Sequence, residues 1–486
     1  MKWMHSQPIC LTLILFLWVP LVAASKPKKP PPPPPPPPGP ITVLFSFPCN
    51  SSGVCADGYF PYSLLESPDG NFYGVTSAGG TGTNAQGTVF KFNPGTGQLS
   101  LIYTFAAQAN GGLPYGSAPI RLIEGTDGFL YGSALNDGAF GAGTVYSLSK
   151  SGVIKDLHDF CGTLGCPDGA NPAFLMQALD GNLYGVTGPG QVPTSVLYRL
   201  STKGTFAVLH TFDTTTQPDG TGSYGFLQAS DGNFYGTTSA GAQNNPYDTF
   251  FEFKPASGAY AILHGFDYPN VATSALAQVP SSGELFGIQA NSILYEISEA
   301  GAYQEIGPLS STQFWNAHIL LGSDGNLWGN FQGGDCNDQG MVFATTTSGT
   351  VLQNITFNCT TDGEQLGPMF QAANGKFYGL TLGVGSPTTN SIANGTIWSI
   401  DLGLPPPAPT VVNFQPTSGS VGTTVLLQGQ HFIGTTAMSF NGMNAAFQVL
   451  TNNYISASVP SGATSGDISV TNAGGMARSA QAFTVK

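Results

Sequence analysis

The sequence predicts an all-β chain: a seven-bladed β-propeller closed by its N-terminal strand, followed by an immunoglobulin-like β-sandwich. Three observations carry that expectation. A short phrase, a tight turn followed by an aromatic–glycine pair, recurs seven times between residues 69 and 379. Each unit holds four short apolar runs separated by turn residues, as four antiparallel strands require. The fourth run occurs only six times within the units, and a seventh copy, Ile41-Thr-Val-Leu-Phe-Ser-Phe47, stands ahead of the first.

The phrase reads Asp69-Gly-Asn-Phe-Tyr-Gly74, Asp127-Gly-Phe-Leu-Tyr-Gly132, Asp180-Gly-Asn-Leu-Tyr-Gly185, Asp231-Gly-Asn-Phe-Tyr-Gly236, a worn Ser282-Gly-Glu-Leu-Phe-Gly287, Asp324-Gly-Asn-Leu-Trp-Gly329 and Asn374-Gly-Lys-Phe-Tyr-Gly379. Aspartate–glycine between two apolar runs is a hairpin signal. A repeat of about fifty residues is the mark of an array of like supersecondary units. In the second unit the four runs fall at 119–123, 129–133, 143–148 and 153–160. Blades that pack face to face bury both faces of most strands, so the runs are apolar rather than alternating. Phe90, Tyr146, Tyr198, Phe251, Tyr295, Phe343 and Trp398 share one third-strand position and read as core between blades. The fourth strands end in Phe105, Phe160, Phe212, Phe266, Leu309 and Phe357. Residues 41–47 are therefore expected to complete the last blade and remove two free sheet edges.

The flanking segments are of other kinds. Lys2 and His5 precede an apolar run to Ala24 with small residues at its end, so 1–25 reads as a signal peptide. Residues 26–40 are a proline-rich linker with nine consecutive prolines, Pro30 to Pro38, a stiff spacer. The propeller is expected over 41–403, a second proline-rich linker over 404–409, and the sandwich over 410–486, where alternating strands follow one another at short spacing. Without Cys10, six cysteines remain, which in an exported chain read as disulfides. Cys49–Cys55 and Cys161–Cys166 are local pairs, leaving Cys336–Cys359.

Charged residues make up only 8% of the chain, with a net charge of −13 and 14 Lys+Arg. So few cations argue against nucleic acid and against anionic membrane surfaces. No membrane insertion is expected once the signal is removed. The expected product is a monomer that is secreted, periplasmic or associated with the cell surface, with an outer face of Ser, Thr, Asn, Gln and Gly.

The recurrent Asp-Gly-Asn-Phe-Tyr-Gly, followed by Gly-Thr-Val-Phe and a fourth strand such as Val208-Leu-His-Thr-Phe212, resembles the bacterial GloVer (Gloeo/Verruco) tandem repeat over roughly 41–403. The tail resembles an IPT/TIG domain in Pro416, Gly419, Gly422, Gly429, Phe432, Phe440-Asn-Gly442, Val459-Pro460 and Gly474-Gly475. The first resemblance implies exported or surface-held bacterial proteins without an established activity. The second implies a binding or spacer module. Neither brings a catalytic motif.

The residues themselves offer few sites. His158, His210 and His264 share a fourth-strand position and read as repeat packing, because three different blades cannot bring them to one ion. Asp57, Asp168, Asp219 and Asp362, each followed by glycine, fall between units, with Asn110 a looser fifth. Carboxylates around one rim suit Ca²⁺ or neutral sugar hydroxyls. The plainer reading is that Asp-Gly makes the turn, and nothing resembles a dedicated calcium loop, so no cofactor is assigned. Glu66, Glu124, Gln177, Gln228 and Gln371 each stand four residues before the hairpin glycine, at the end of the innermost strand. They read as partners for turn amides, since mixed Glu and Gln do not form the paired carboxylates of acid–base work. The expectation is a non-catalytic exported binding or scaffold protein whose loop face contacts polysaccharide or protein. The alternative is a propeller-type lyase or hydrolase that acts on extracellular glycans through a metal on that face.

Overall fold

The computed structural model describes residues 41–108, 112–188, 195–212, 219–239, 248–266, 276–280, 282–289, 291–310, 317–333, 340–383 and 394–486. The chain divides at Pro35, and every described residue belongs to the compact unit Pro36–Lys486. Signal-peptide and polyproline residues, Asn110 and Cys336 lie outside the described residues.

The body is an all-β architecture of repeated four-stranded antiparallel sheets, seven among the described residues, broadly propeller- or solenoid-like. The first sheet runs in sequence order through Tyr59–Glu66, Phe72–Ala78, Thr88–Asn93 and Gln98–Thr104. The last takes three strands from the end of the array, Leu366–Gln371, Phe377–Thr381 and Thr396–Ile400, and its fourth from Ile41–Ser46. That strand pairs antiparallel with its neighbour, Ile41 opposite Ile400 and Ser46 opposite Thr396.

The aromatic pair in the phrase follows from strand geometry. Successive side chains on a strand point to opposite faces. Phe72 packs with Tyr378, Leu380 and Ile397 of the seventh repeat, whereas its neighbour Tyr73 packs with Leu122, Leu130 and Tyr146 of the second. In the third repeat Leu183 lies in the cluster shared with the second and Tyr184 in the cluster shared with the fourth. Each junction between consecutive repeats has its own apolar cluster, and one more joins the seventh to the first. A strand buried on both faces has no solvated side to alternate with, so its sequence reads as a continuous apolar run.

The phrase's aspartate has two tasks. In the fourth repeat, Asp231 Oδ1 accepts the Asn233 amide at 2.9 Å, and Oδ2 accepts the Tyr235 hydroxyl at 2.8 Å. The same two bonds recur at Asp69, Asp127 and Asp180, and at Asp324 the indole Nε1–H of Trp328 replaces the hydroxyl. The worn fifth copy keeps the turn bond, Ser282 Oγ accepting the Glu284 amide at 3.2 Å, but Phe286 carries no hydroxyl for the second. The closing glycine exists for the third-strand aromatic opposite it. A Cβ on Gly185 would lie 2.2 Å from Tyr198 Oη, and one on Gly74 2.3 Å from Phe90 Cζ. The ring lies flat over the glycine backbone, and all seven third-strand aromatics are fully buried.

Disulfides join Cys49 to Cys55 and Cys161 to Cys166. Cys359 is also disulfide-bonded. Beyond Pro405 two further four-stranded sheets enclose a common core: Phe414, Val425, Leu427 and Ile455 from one, Met438, Phe440, Ile468 and Val470 from the other.

Candidate functional site

Antiparallel order places Asp57 and Glu66 at opposite ends of the innermost strand, because Tyr59 pairs with Ala78 and Glu66 with Phe72. The two candidate sets of side chains therefore belong to two different ends of the array.

At the loop end, the Asp-Gly pairs form a latch. The Asp57 carbonyl accepts the Thr88 hydroxyl at 3.1 Å, and the Asp362 carbonyl accepts that of Thr396 at 3.0 Å. The following glycine lies against a second-strand threonine, so close that a Cβ on Gly58 would come within 1.9 Å of Thr76 Oγ1. The carboxylates also turn back onto the end of the preceding repeat's outer strand. Asp168 accepts the Cys161 amide at 3.1 Å and sits 3.0 Å from His158 Nε2. Asp219, only 1% exposed, sits 2.7 Å from His210 Nε2. Asp362 accepts the Asn358 amide at 2.9 Å and the Thr361 hydroxyl at 3.0 Å. Burial raises the pKa of the Asp57 carboxyl. Sequence reasoning treated the histidines and the aspartates as separate sets, although their separation of nine or ten residues was visible. Burial also lowers the His158 pKa, against the opposing pull of Asp168. Among the described residues no three His, Cys, Asp or Glu side chains gather where they could hold a metal ion.

At the hairpin end, Glu and Gln side chains tie four repeats, the first, second, third and seventh, to the one before. Gln177 Oε1 accepts the Thr126 amide at 2.9 Å while its Nε2 donates to the Gly181 carbonyl at 3.0 Å. Gln371 does the same with Ser323 and Gly375, both at about the same length. Glu66 Oε2 accepts the Ala373 amide at 3.0 Å, linking the first repeat to the seventh. Burial pushes the Glu66 carboxyl up to about 7, only partly offset by that amide. Glu124 accepts from Ser67 and pairs with Lys150 at 2.5 Å.

The tail domain sits over this end. Tyr454 donates its hydroxyl to the Gln177 carbonyl at 2.7 Å, and Gln428 Nε2 donates to Gln228 Oε1 at 2.8 Å. Gln415 Nε2 donates to the Leu179 carbonyl. Beneath lies a cavity of about 390 Å³, walled by the ends of several innermost strands and roofed by 428–430 and 451–454 of the tail. Its walls are mostly apolar, among them Leu64, Leu175, Phe226 and Phe370, with Arg121 the cation that lines it. No pattern in the sequence points to this chamber, because its roof and walls are separated by hundreds of residues and Arg121 belongs to no repeated pattern.

These features define a repeat-built, largely β protein. A family model described as the Gloeobacter/Verrucomicrobia repeat matches residues 60–295 and 226–449, and the chain belongs to that family. No curated protein matches the chain. A fungal alcohol oxidase of the AA5 family, solved in complex with copper, is 14% identical with a TM-score of 0.50, over 93% of this chain and 99% of that one. At such identity the likeness concerns the fold alone. Streptogramin B lyase is 14% identical with a TM-score of 0.48, over 74% of this chain and 97% of that one. The WD40 β-propeller domain of Doa1 is 11% identical with a TM-score of 0.45, over the same shares. No helix among the described residues is long and apolar enough to cross a membrane.

Proposed function

We propose that the chain is an exported, non-catalytic binding or scaffold protein: a seven-bladed propeller over 41–403, closed by residues 41–47, with an immunoglobulin-like IPT/TIG domain over 410–486. A signal peptide over 1–25 and the proline-rich segments 26–40 and 404–409 complete this division. Closure is supported by the pairing of Ile41–Ser46 with Thr396–Ile400, the apolar cluster between seventh and first repeats, and the Glu66–Ala373 bond. The loop face is the surface offered to extracellular polysaccharide or protein.

The observation that carries the non-catalytic reading is the fate of the loop-end carboxylates. Asp168, Asp219 and Asp362 each serve a histidine, an amide or a hydroxyl of their own surroundings. They frame the face, together with Asp57, and leave recognition to neutral donors and acceptors, to which the sequence adds Asn110 as a candidate. Binding of that kind suits hydroxyl-rich or uncharged partners and depends little on salt. A glycan array combined with metal analysis of the purified chain tests the reading. Binding without turnover is expected. Stoichiometric metal together with glycan cleavage would establish the lyase or hydrolase instead.

A further inference from the structure

The chamber under the tail holds a cation, Arg121, that joins no ion pair among the described residues. Arg121 lies on the innermost strand of the second repeat, its guanidinium 4.5 Å from the centre of the Phe174 ring. Its Nε is buried without a hydrogen-bond partner, and no carboxylate pairs with it among the described residues. Two carboxyls line the same cavity: Glu66 Oε2 accepts the Ala373 amide and Glu124 Oε1 pairs with Lys150, while Glu124 Oε2 is buried without a partner of its own and outside ion-pair distance of Arg121. His318 stands seven residues before its hairpin glycine, Gly325, as Arg121 stands before Gly128, so both occupy one level of the innermost strands. Burial and the Arg121 charge hold the His318 pKa down to about 4, so that ring is neutral and supplies no competing cation.

An unpaired guanidinium removed from bulk water is costly unless a ligand or another charge satisfies it. Structural arginines meet that cost by pairing with a carboxylate, and Arg121 makes no such pair among the described residues. The planar fork of donors matches a carboxylate bidentately. Around it are Leu64, Leu175, Phe226 and Phe370, which favour an apolar body attached to the anion. We propose that this chamber binds a small organic monocarboxylate with an apolar group, Arg121 holding the carboxylate and the tail domain roofing the site. The site is separate from the loop face, so the two proposals stand or fall independently.

Benzoate and its uncharged analogue benzamide test this on the full chain at matched ionic strength. Calorimetry and thermal melting are expected to show saturable benzoate binding with a rise in Tm, and benzamide binding at least tenfold weaker. Arg121→Gln should weaken benzoate at least tenfold. Without ligand it should melt no lower than the parent, because it removes a buried charge that lacks a partner. Equal response to the two probes overturns the proposal, as does full benzoate affinity in Arg121→Gln. Should that variant not fold, the benzoate–benzamide contrast in the unaltered chain decides: its absence overturns the proposal and its presence supports it.

Discussion

Neighbouring repeats are joined differently at their outer and inner strands. On the outer strands rings stack across the junction: His158 on Phe206 at 3.8 Å, His210 on Tyr260 at 3.7 Å and His264 on Tyr303 at 4.3 Å, all nearly parallel. On the inner strands a Glu or Gln side chain reaches the hairpin turn of the preceding repeat. Rings suit the outer strands, where broad apolar surfaces meet. Amide hydrogen bonds suit the inner strands, where turn amides would otherwise lack partners. The stacks depend on shape. The inner bonds depend on protonation wherever Glu replaces Gln.

The heaviest blow falls on the outer strands. Deleting residues 41–47 strips the last sheet of its outer strand and Phe47 from the cluster that joins seventh and first repeats. The exposed edge of Thr396–Ile400 invites pairing between molecules. The truncated chain is expected to aggregate or lose its cooperative melt, read by calorimetry and light scattering. A melt like that of the full chain would refute the closure.

A single side chain breaks the outer junction less severely. His210→Ala removes the stack on Tyr260 and leaves the buried Asp219 without its ring partner. A loss of about 2–4 kcal/mol is expected in urea unfolding. His210→Phe keeps the stacking surface and should recover part of that loss, which separates shape from hydrogen bonding. Gly185→Ala tests the sheet between the two junctions. Its Cβ would meet the Tyr198 ring, and about 1–3 kcal/mol should be lost in the same assay.

How far the sequence announces these junctions depends on whether they repeat. The phrase exposes turn, glycine and aromatic register because each recurs, and recurrence separates signal from accident. Arg121 occurs at its level once, and the covering of the chamber joins Tyr454 to a carbonyl of the third repeat, 277 residues away. Local pattern carries no trace of such docking. The histidine–aspartate pairs fall between these extremes. They recur and were close in sequence, but a period-based reading sorts residues by type and so separated partners that fold into one contact. Glu66 shows the same limit, since its glutamine counterparts Gln177 and Gln371 reveal its task only once the turn amides are in place.

On the inner side, Glu66→Gln should change stability with pH rather than at every pH. The carboxyl of Glu66 is pushed up to about 7 from 4.5, so the folded chain holds its proton more tightly than the unfolded chain does. Its contribution is complete below about pH 4.5 and is lost as pH rises through 7. Glutamine cannot ionise and reproduces the bonds that Gln177 makes. The variant is therefore expected to match the parent near pH 4 and to exceed it by about 1–3 kcal/mol at pH 8, from urea midpoints at both values. A parent that is equally stable at both would show that Glu66 ionises freely.

The smallest expected effect is at the tail. Tyr454 is 3% exposed and donates to the Gln177 carbonyl, the same glutamine whose side chain ties the third repeat to the second. Tyr454→Phe keeps the ring that roofs the chamber and removes the hydroxyl that donates to the Gln177 carbonyl and accepts from Gln428 Nε2, for a loss of about 1–2 kcal/mol. If the tail and the inner strands unfold as one body, that loss shifts a single transition. If the tail lifts first, a separate early transition moves and the main one stays, which two-probe urea unfolding distinguishes. The second outcome would make the roof a removable lid and the inner junctions independent of it. The first would make docking of the tail part of what holds the inner strands together, in contrast to outer strands joined by their own ring stacks.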